Sequence, residues 1–246
     1  MAEFHVFKNP EELSQAAARL FIDCAREAID LRGRFIVALS GGSTPKRLFQ
    51  ILSEDRHRQA MPWDRTIIFW GDERAVAPSH EWSNYKLAQD HLLAHVPVHE
   101  KNIFRIQGER GAKIAAEDML QNMLSIFDDQ GVPRFDLALQ GMGTDGHTAS
   151  LFPGTNALAS TDWVVPVIDP PANPKIDRVT ITLPVLNAAR LSLFLVAGQG
   201  KRHIISEIRN DPTAPTRYPA ASVTAEKTVW YVSEDAFDST SARIAH

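Results

Sequence analysis

Two hydrophobic periods alternate along the chain. Leu13, Ala17, Leu20, Cys24, Ala28 and Leu31 recur at helical spacing, with Pro10 placed to open the helix and Gly33 to close it. Ala116, Leu120, Met123, Leu124 and Phe127 repeat the pattern, with Gly131 as the stop. Between such segments lie short, nearly unbroken apolar runs at 35–39, 66–70, 135–139, 191–197 and 228–232. Runs of this kind, bounded by Gly, Pro or polar turns, suit strands buried on both faces of a parallel sheet. The alternation predicts an α/β fold, a doubly wound and mostly parallel sheet flanked by helices. No internal repeat or linker-like tract interrupts it. The Pro-rich stretch 166–175 (PVIDPPANPK) reads as a surface loop, so one domain over 1–246 is expected.

Composition narrows the function classes. Cys24 is the only cysteine, so an intramolecular disulfide and any Cys-rich metal site are excluded. Its place on an apolar helical stripe marks it as an inert core thiol. The charge balance, 26 − 30 = −4, argues against a nucleic-acid partner while leaving room for a local basic pocket. No apolar run is long enough to span a membrane, and the start MAEFHVFKNPEEL lacks a basic segment followed by an apolar one. A soluble cytoplasmic protein is expected.

Open α/β sheets bind ligands at the carboxyl ends of their strands. Chemistry-bearing residues stand just after the apolar runs. Ser40-Gly41-Gly42-Ser43-Thr44-Pro45 follows the first run, and Pro45 suits the first turn of the next helix. Its two glycines, the hydroxyls of Ser43 and Thr44 and the free N–H groups at a helix N-terminus make an anion cradle. No Gly-Lys-Ser/Thr follows, so it is not a Walker loop.

Asp72-Glu73-Arg74 follows the second run and points to the same rim, and Arg74 is the natural partner of a phosphate or a developing oxyanion. Arg178 opens the apolar run 179–183, and Lys201 starts the helix after Gly198-Gln199-Gly200.

The segment 141–146 spells G-x-G-x-x-G, but a following helix would meet Pro153 after about two turns, too soon for a dinucleotide crossover, and no acidic residue closes the next strand. It reads better as a catalytic loop. His147 is the side chain most easily poised as a general base near neutral pH, and Asp145 is placed to orient it. His91 and His95 are spaced i, i+4 without the Glu of H-E-x-x-H or a third ligand, so no metal is expected. Trp63, Trp70 and Trp82 read as packing residues.

Taken together, LSGGSTP, GDERAV, HEWSNYKL, GMGTDGHTASLFPG, RVTITLPVLN and LFLVAGQGK resemble the 6-phosphogluconolactonase family, in order and spacing, from about Arg34 to Val232. That family shares its modified doubly wound fold with the glucosamine-6-phosphate deaminases. The resemblance implies hydrolysis of 6-phospho-D-glucono-1,5-lactone to 6-phosphogluconate, without a cofactor, in the oxidative pentose phosphate pathway. By match of motif, His147 takes the general-base position, with Arg74 and Asp145 as active-site partners. Ser43, Arg178 and Lys201 fall where the family holds the sugar's phosphate, and Gly41, Gly42, Thr44 and Asp72 are expected to complete the substrate site.

Two other readings compete. Deaminases of the same fold resemble DGHIAFNEPG at this loop, with a catalytic Glu five residues after the His. Here position 152 is Phe, which cannot exchange protons. A non-catalytic sugar-phosphate sensor would need an output module, for which 246 residues leave no room, and would be expected to lose His147. No G-x-S-x-G elbow is present, so a serine acyl-enzyme is not indicated.

Overall fold

A computed structural model of the chain describes residues 2–127 and 131–238. In chain order its main elements are β1 (Glu3–Phe7), α1 (Pro10–Arg32), β2 (Phe35–Leu39), α2 (Ser43–Ser53), α3 (Asp55–Ala60), β3 (Thr66–Trp70) and β4 (Asp72–Arg74). Then come α4 (Asn84–His91), α5 (Ala112–Ile126), β5 (Leu137–Gln140), β6 (Val164–Val167), β7 (Arg178–Ile181), α6 (Leu183–Ala188), β8 (Leu191–Val196), α7 (Arg202–Asn210) and β9 (Lys227–Ser233).

Six strands form one wholly parallel sheet in the order β1-β9-β8-β5-β2-β3. Every residue of β2, β5 and β8 is buried, as unbroken apolar runs covered on both faces require. The expected α/β class is therefore present. The chain winds to one side of β2 to reach β3 and to the other to reach β5. That reversal opens a crevice between the carboxyl ends of β2 and β5, the place where sheets of this type take ligands.

A second, antiparallel sheet in the order β4-β7-β6 was not foreseen. Gly71 is the hinge between the two sheets. Its N–H donates to Leu39 O of the large sheet, while its carbonyl accepts from Ile181 N of the small one. Pro166 and Val167, read from sequence as loop, belong to the edge strand β6, where a missing N–H is tolerated.

Other local expectations shift for geometric reasons. Helix α1 starts and stops where the sequence says. Asn9 accepts from Glu12 N at 2.9 Å, Pro10 follows, and Gly33 closes the helix at φ 75° with its N–H on Ile29 O. Its buried face, however, centres on Ala17, Ala18, Phe21, Ala25 and Ala28. Leu20 and Cys24 sit half-buried on the shoulder, and Leu31 is 68% exposed, because the stripe read from sequence runs along one edge of the buried face rather than down its centre. Burial pushes the Cys24 thiol up to about 12, so it stays protonated. Helix α5 ends at Ile126 rather than at Gly131, and residues 128–130 lie outside the described part. The fifth strand is shifted to 137–140, and β1, short and mostly exposed, went unread. Among the described residues no helix is long and apolar enough to cross a membrane.

Candidate functional site

A cavity of about 220 Å³ opens over the carboxyl ends of the strands, at the β2/β5 crevice. It is lined by Gly41, Gly42, Ser43, Thr44, Asp72, Arg74, His147, Arg178 and Lys201, nine of the ten residues that the sequence nominated. Asp145, the tenth, contacts His147 from outside the lining.

The floor is the start of α2. Gly42, at φ 108°, is its N-cap and offers no side chain, so the N–H groups of Ser43 and Thr44 have no side-chain cap. No acidic residue sits in the first turn, and the helix N-terminus carries its partial positive charge into the cavity.

One wall is the β4–β7 pair. Alternation along β4 turns Asp72 and Arg74 to the same face and Glu73 to the other. Register sets Arg74 against Arg178 and Asp72 against Thr180. Arg178 is 5% exposed, its Nε is buried without a partner, and burial pulls its guanidinium below the ordinary arginine range. Arg74 Nη1 donates to Trp82 O at 2.7 Å and to Asn84 Oδ1 at 2.8 Å, while its Nε is also buried and unpartnered. Lys201 enters from the turn before α7, and burial likewise lowers its ammonium. Among the described residues none of the three cations has a carboxylate within ion-pair distance. Buried cations left unpaired are costly unless an anion comes to meet them.

Asp72 is satisfied instead by neutral donors. Ser150 Oγ donates to its Oδ2 at 2.6 Å, and Asn84 Nδ2 donates to its Oδ1 at 3.1 Å and its carbonyl at 2.9 Å. Glu73, read from sequence as facing the rim, faces the interior. One oxygen accepts from Arg74 N and Asn84 N, and the other from Ser83 Oγ and Tyr85 N, at 2.7–2.9 Å. Burial pushes its carboxyl up against these four hydrogen bonds. Its place is beneath the start of α4, which it ties to β4.

The opposite wall is the loop after β5. His147 Nδ1 lies 2.5 Å from Asp145 Oδ1, which also accepts from His147 N at 3.1 Å. With Nδ1–H committed to the carboxylate, Nε2 is left as the acceptor. Burial opposes ionisation of Asp145, but the hydrogen bonds and charge of His147 outweigh it and hold the carboxyl below its usual range. Beneath the imidazole lies Phe152, 1% exposed, with ring centroids 4.5 Å apart. The Arg178 guanidinium sits 5.4 Å from the same ring. Gly143 has to be glycine, since a Cβ there would fall 2.2 Å from the imidazole. No helix follows the loop. Thr148 and Leu151 form an isolated bridge instead, and Ala149, on the cavity wall, is held at φ 48°.

Sequence reasoning missed Asn84, Ser150 and the inward turn of Glu73. Asn84 stood within a quoted motif, but a polar residue after a serine cap reads as helix capping, and Ser83 does cap α4 through Lys86 N. Trp82, expected to pack, is 39% exposed and contributes only its carbonyl. Among the described residues no group of three His, Cys, Asp or Glu side chains could hold a metal.

Such a crevice, lined by unpaired cations and a carboxylate-oriented histidine, defines a class that handles small anionic substrates. The model of the glucosamine-6-phosphate isomerases/6-phosphogluconolactonase family matches residues 8–230, and the chain belongs to that family. It is 37% identical over 247 residues to 6-phosphogluconolactonase 3, chloroplastic, of Arabidopsis thaliana, covering 93% of this chain and 74% of that one. It is 38% identical over 214 residues to the 6-phosphogluconolactonase of a Synechocystis strain, covering 85% and 86%. Among solved structures, a devB protein superposes with a TM-score of 0.88 at 34% identity over 100% of both chains. The 6-phosphogluconolactonase of Thermotoga maritima gives 0.83 at 27%, over 95% and 100%. A monomeric glucosamine-6-phosphate deaminase gives 0.79 at 18% identity over 95% and 98%, a likeness of fold.

Proposed function

We propose that the cavity hydrolyses 6-phospho-D-glucono-1,5-lactone to 6-phosphogluconate. The observation that carries this reading is the set of three cations, Arg74, Arg178 and Lys201, without carboxylate partners and facing a histidine that a carboxylate orients. The relatives named above act on this lactone by name, and they support the same substrate class.

In the mechanism we propose, Arg178, Lys201 and the first N–H groups of α2 hold the phosphate, with Ser43 and Thr44 adding hydroxyl donors. Binding energy remote from the reacting carbon thereby fixes the ring. His147 Nε2 takes a proton from water as its oxygen attacks C1, and Asp145 stabilises the imidazolium. Arg74 meets the oxyanion at C1. Collapse breaks the bond between C1 and the ring oxygen, and His147 returns the proton to that oxygen. The new acid ionises to a carboxylate. No cofactor enters this scheme. A phosphorylated sugar does not cross membranes unaided, which fits a cytoplasmic setting.

A deaminase needs a proton-exchanging carboxylate near the histidine, and Phe152 occupies that place. The test is acceleration of lactone opening above its spontaneous rate, with glucosamine 6-phosphate run beside it. Enzymatic release of ammonia would overturn the reading. Binding of 6-phosphogluconate without acceleration would point to a sensor.

A further inference from the structure

Asp72 and Arg74 are two residues apart and share one face of β4, a spacing at which opposite charges can pair. Here they do not, because Asn84 stands between them. Its amide nitrogen faces the aspartate, donating at 3.1 Å to Oδ1 and 2.9 Å to the carbonyl, and its amide oxygen faces the arginine at 2.8 Å. The backbone is built to admit this amide. At Gly41 a Cβ would fall 1.9 Å from Asn84 Oδ1, so the anion loop leaves room for the asparagine and for nothing larger than a hydrogen. From below, Glu73 accepts the Asn84 and Tyr85 N–H groups and fixes the start of α4 against β4.

We propose that Asn84 is a positioning residue that keeps Asp72 from neutralising Arg74. The inference rests on reading the cavity as a site for a sugar anion, and it assigns the bracket beneath that site. An amide can satisfy a carboxylate and a guanidinium at once without carrying charge. It therefore leaves Arg74 on the cavity wall with its full charge, its Nη1 shared between Asn84 Oδ1 and Trp82 O. Ser150 completes the arrangement by occupying the other oxygen of Asp72 at 2.6 Å. Without the amide, Asp72 loses a donor, Arg74 loses an acceptor, and the two close on each other. The cation that would meet the reacting carbon is then spent on an internal ion pair.

The test is a double-mutant cycle read by calorimetric binding of 6-phosphogluconate, whose C1 carboxylate is the group Arg74 would meet. Asn84→Ala is expected to weaken binding about tenfold or more in the wild-type background. In an Asp72→Asn background, where no carboxylate remains to capture Arg74, the same substitution is expected to cost less than about threefold. A merely structural asparagine costs the same in both backgrounds, and that result overturns the proposal. A crystal structure of Asn84→Ala gives a ligand-free arm. Arg74 should lie within ion-pair reach of Asp72, and an Arg74 still held off Asp72 also overturns it. Failure of the wild type to bind 6-phosphogluconate would remove the substrate reading, and the crystallographic arm would still decide the bracket. If the alanine variant does not fold, the isosteric Asn84→Asp takes its place. Its carboxylate neutralises Arg74 directly, so a similar loss of binding is expected, and unchanged binding counts against the idea.

Discussion

Arg74 and Arg178 are register partners across the antiparallel β4–β7 pair, two cations side by side on the face turned to the cavity. Like charges directly opposite in a ladder destabilise it, and here neither has a carboxylate to relieve it. The sheet holds this strain where an anionic ligand would remove it.

Stability and binding should therefore move in opposite directions at Arg178. Arg178→Met keeps a long side chain beside Phe152 and removes the buried charge. Thermal stability is expected to hold or to rise by about 1 kcal/mol. Binding of 6-phosphogluconate should weaken by roughly 2–5 kcal/mol, while unphosphorylated gluconate changes little. Calorimetry on the two ligands checks this. Equal losses would move the phosphate elsewhere.

Lys201 sets an alkaline limit on affinity. Burial lowers its ammonium from the ordinary lysine value, so the charged form that an anion needs is lost earlier as pH rises. Affinity for a phosphorylated ligand should fall as pH rises, beginning below the usual lysine range. Lys201→Arg, which stays charged, should carry the plateau to higher pH. A binding profile that is flat in the wild type and identical in the variant would take Lys201 out of the phosphate site.

At Gly143 the expected effect is local. A Cβ there would overlap Cε1 and Nδ1 of His147 at 2.2 Å. Gly143→Ala should drive the imidazole off Asp145 and lower kcat nearly as far as removing the histidine itself. The Kd for 6-phosphogluconate should rise by less than about threefold, since the residues proposed to hold the phosphate, Arg178, Lys201 and the start of α2, are unchanged. A variant with normal kcat would mean that the loop moves aside and that His147 is not fixed by this contact.

The parts of this architecture that were legible in the sequence are those where one residue type carries one physical demand. Strands β2, β3 and β8 announce themselves because burial on both faces requires unbroken apolar runs. The loops after β2 and β5 are marked by glycines, which precede hydroxyls in the first and Asp145 and His147 in the second. The small sheet carries no such mark. Strand β4 is three charged residues whose role comes from pairing with β7, about a hundred positions away. Asn84 is hidden for the same reason, since what makes it a spacer is the approach of Gly41 and Arg74 from other elements. Glu73 was placed on the wrong face because three successive charges read as a turn, and only the strand geometry separates its side from that of its neighbours.

His147 carries the sharpest expectation. As general base it should contribute on the order of 10²–10⁴ in rate, or roughly 3–5 kcal/mol of barrier. His147→Asn retains hydrogen-bonding capacity within the loop and leaves Arg178, Lys201 and the α2 terminus intact. Binding of 6-phosphogluconate should therefore survive while kcat collapses. Asp145 is held ionised by the same contact that orients the ring. Asp145→Asn should then free the ring to turn and lower the rate. Joint loss of binding and turnover in His147→Asn would assign the imidazole to holding the loop's shape. Near-wild-type turnover, once spontaneous opening is subtracted, would pass the proton to Asp72 or Asp145, the carboxylates nearest the cavity.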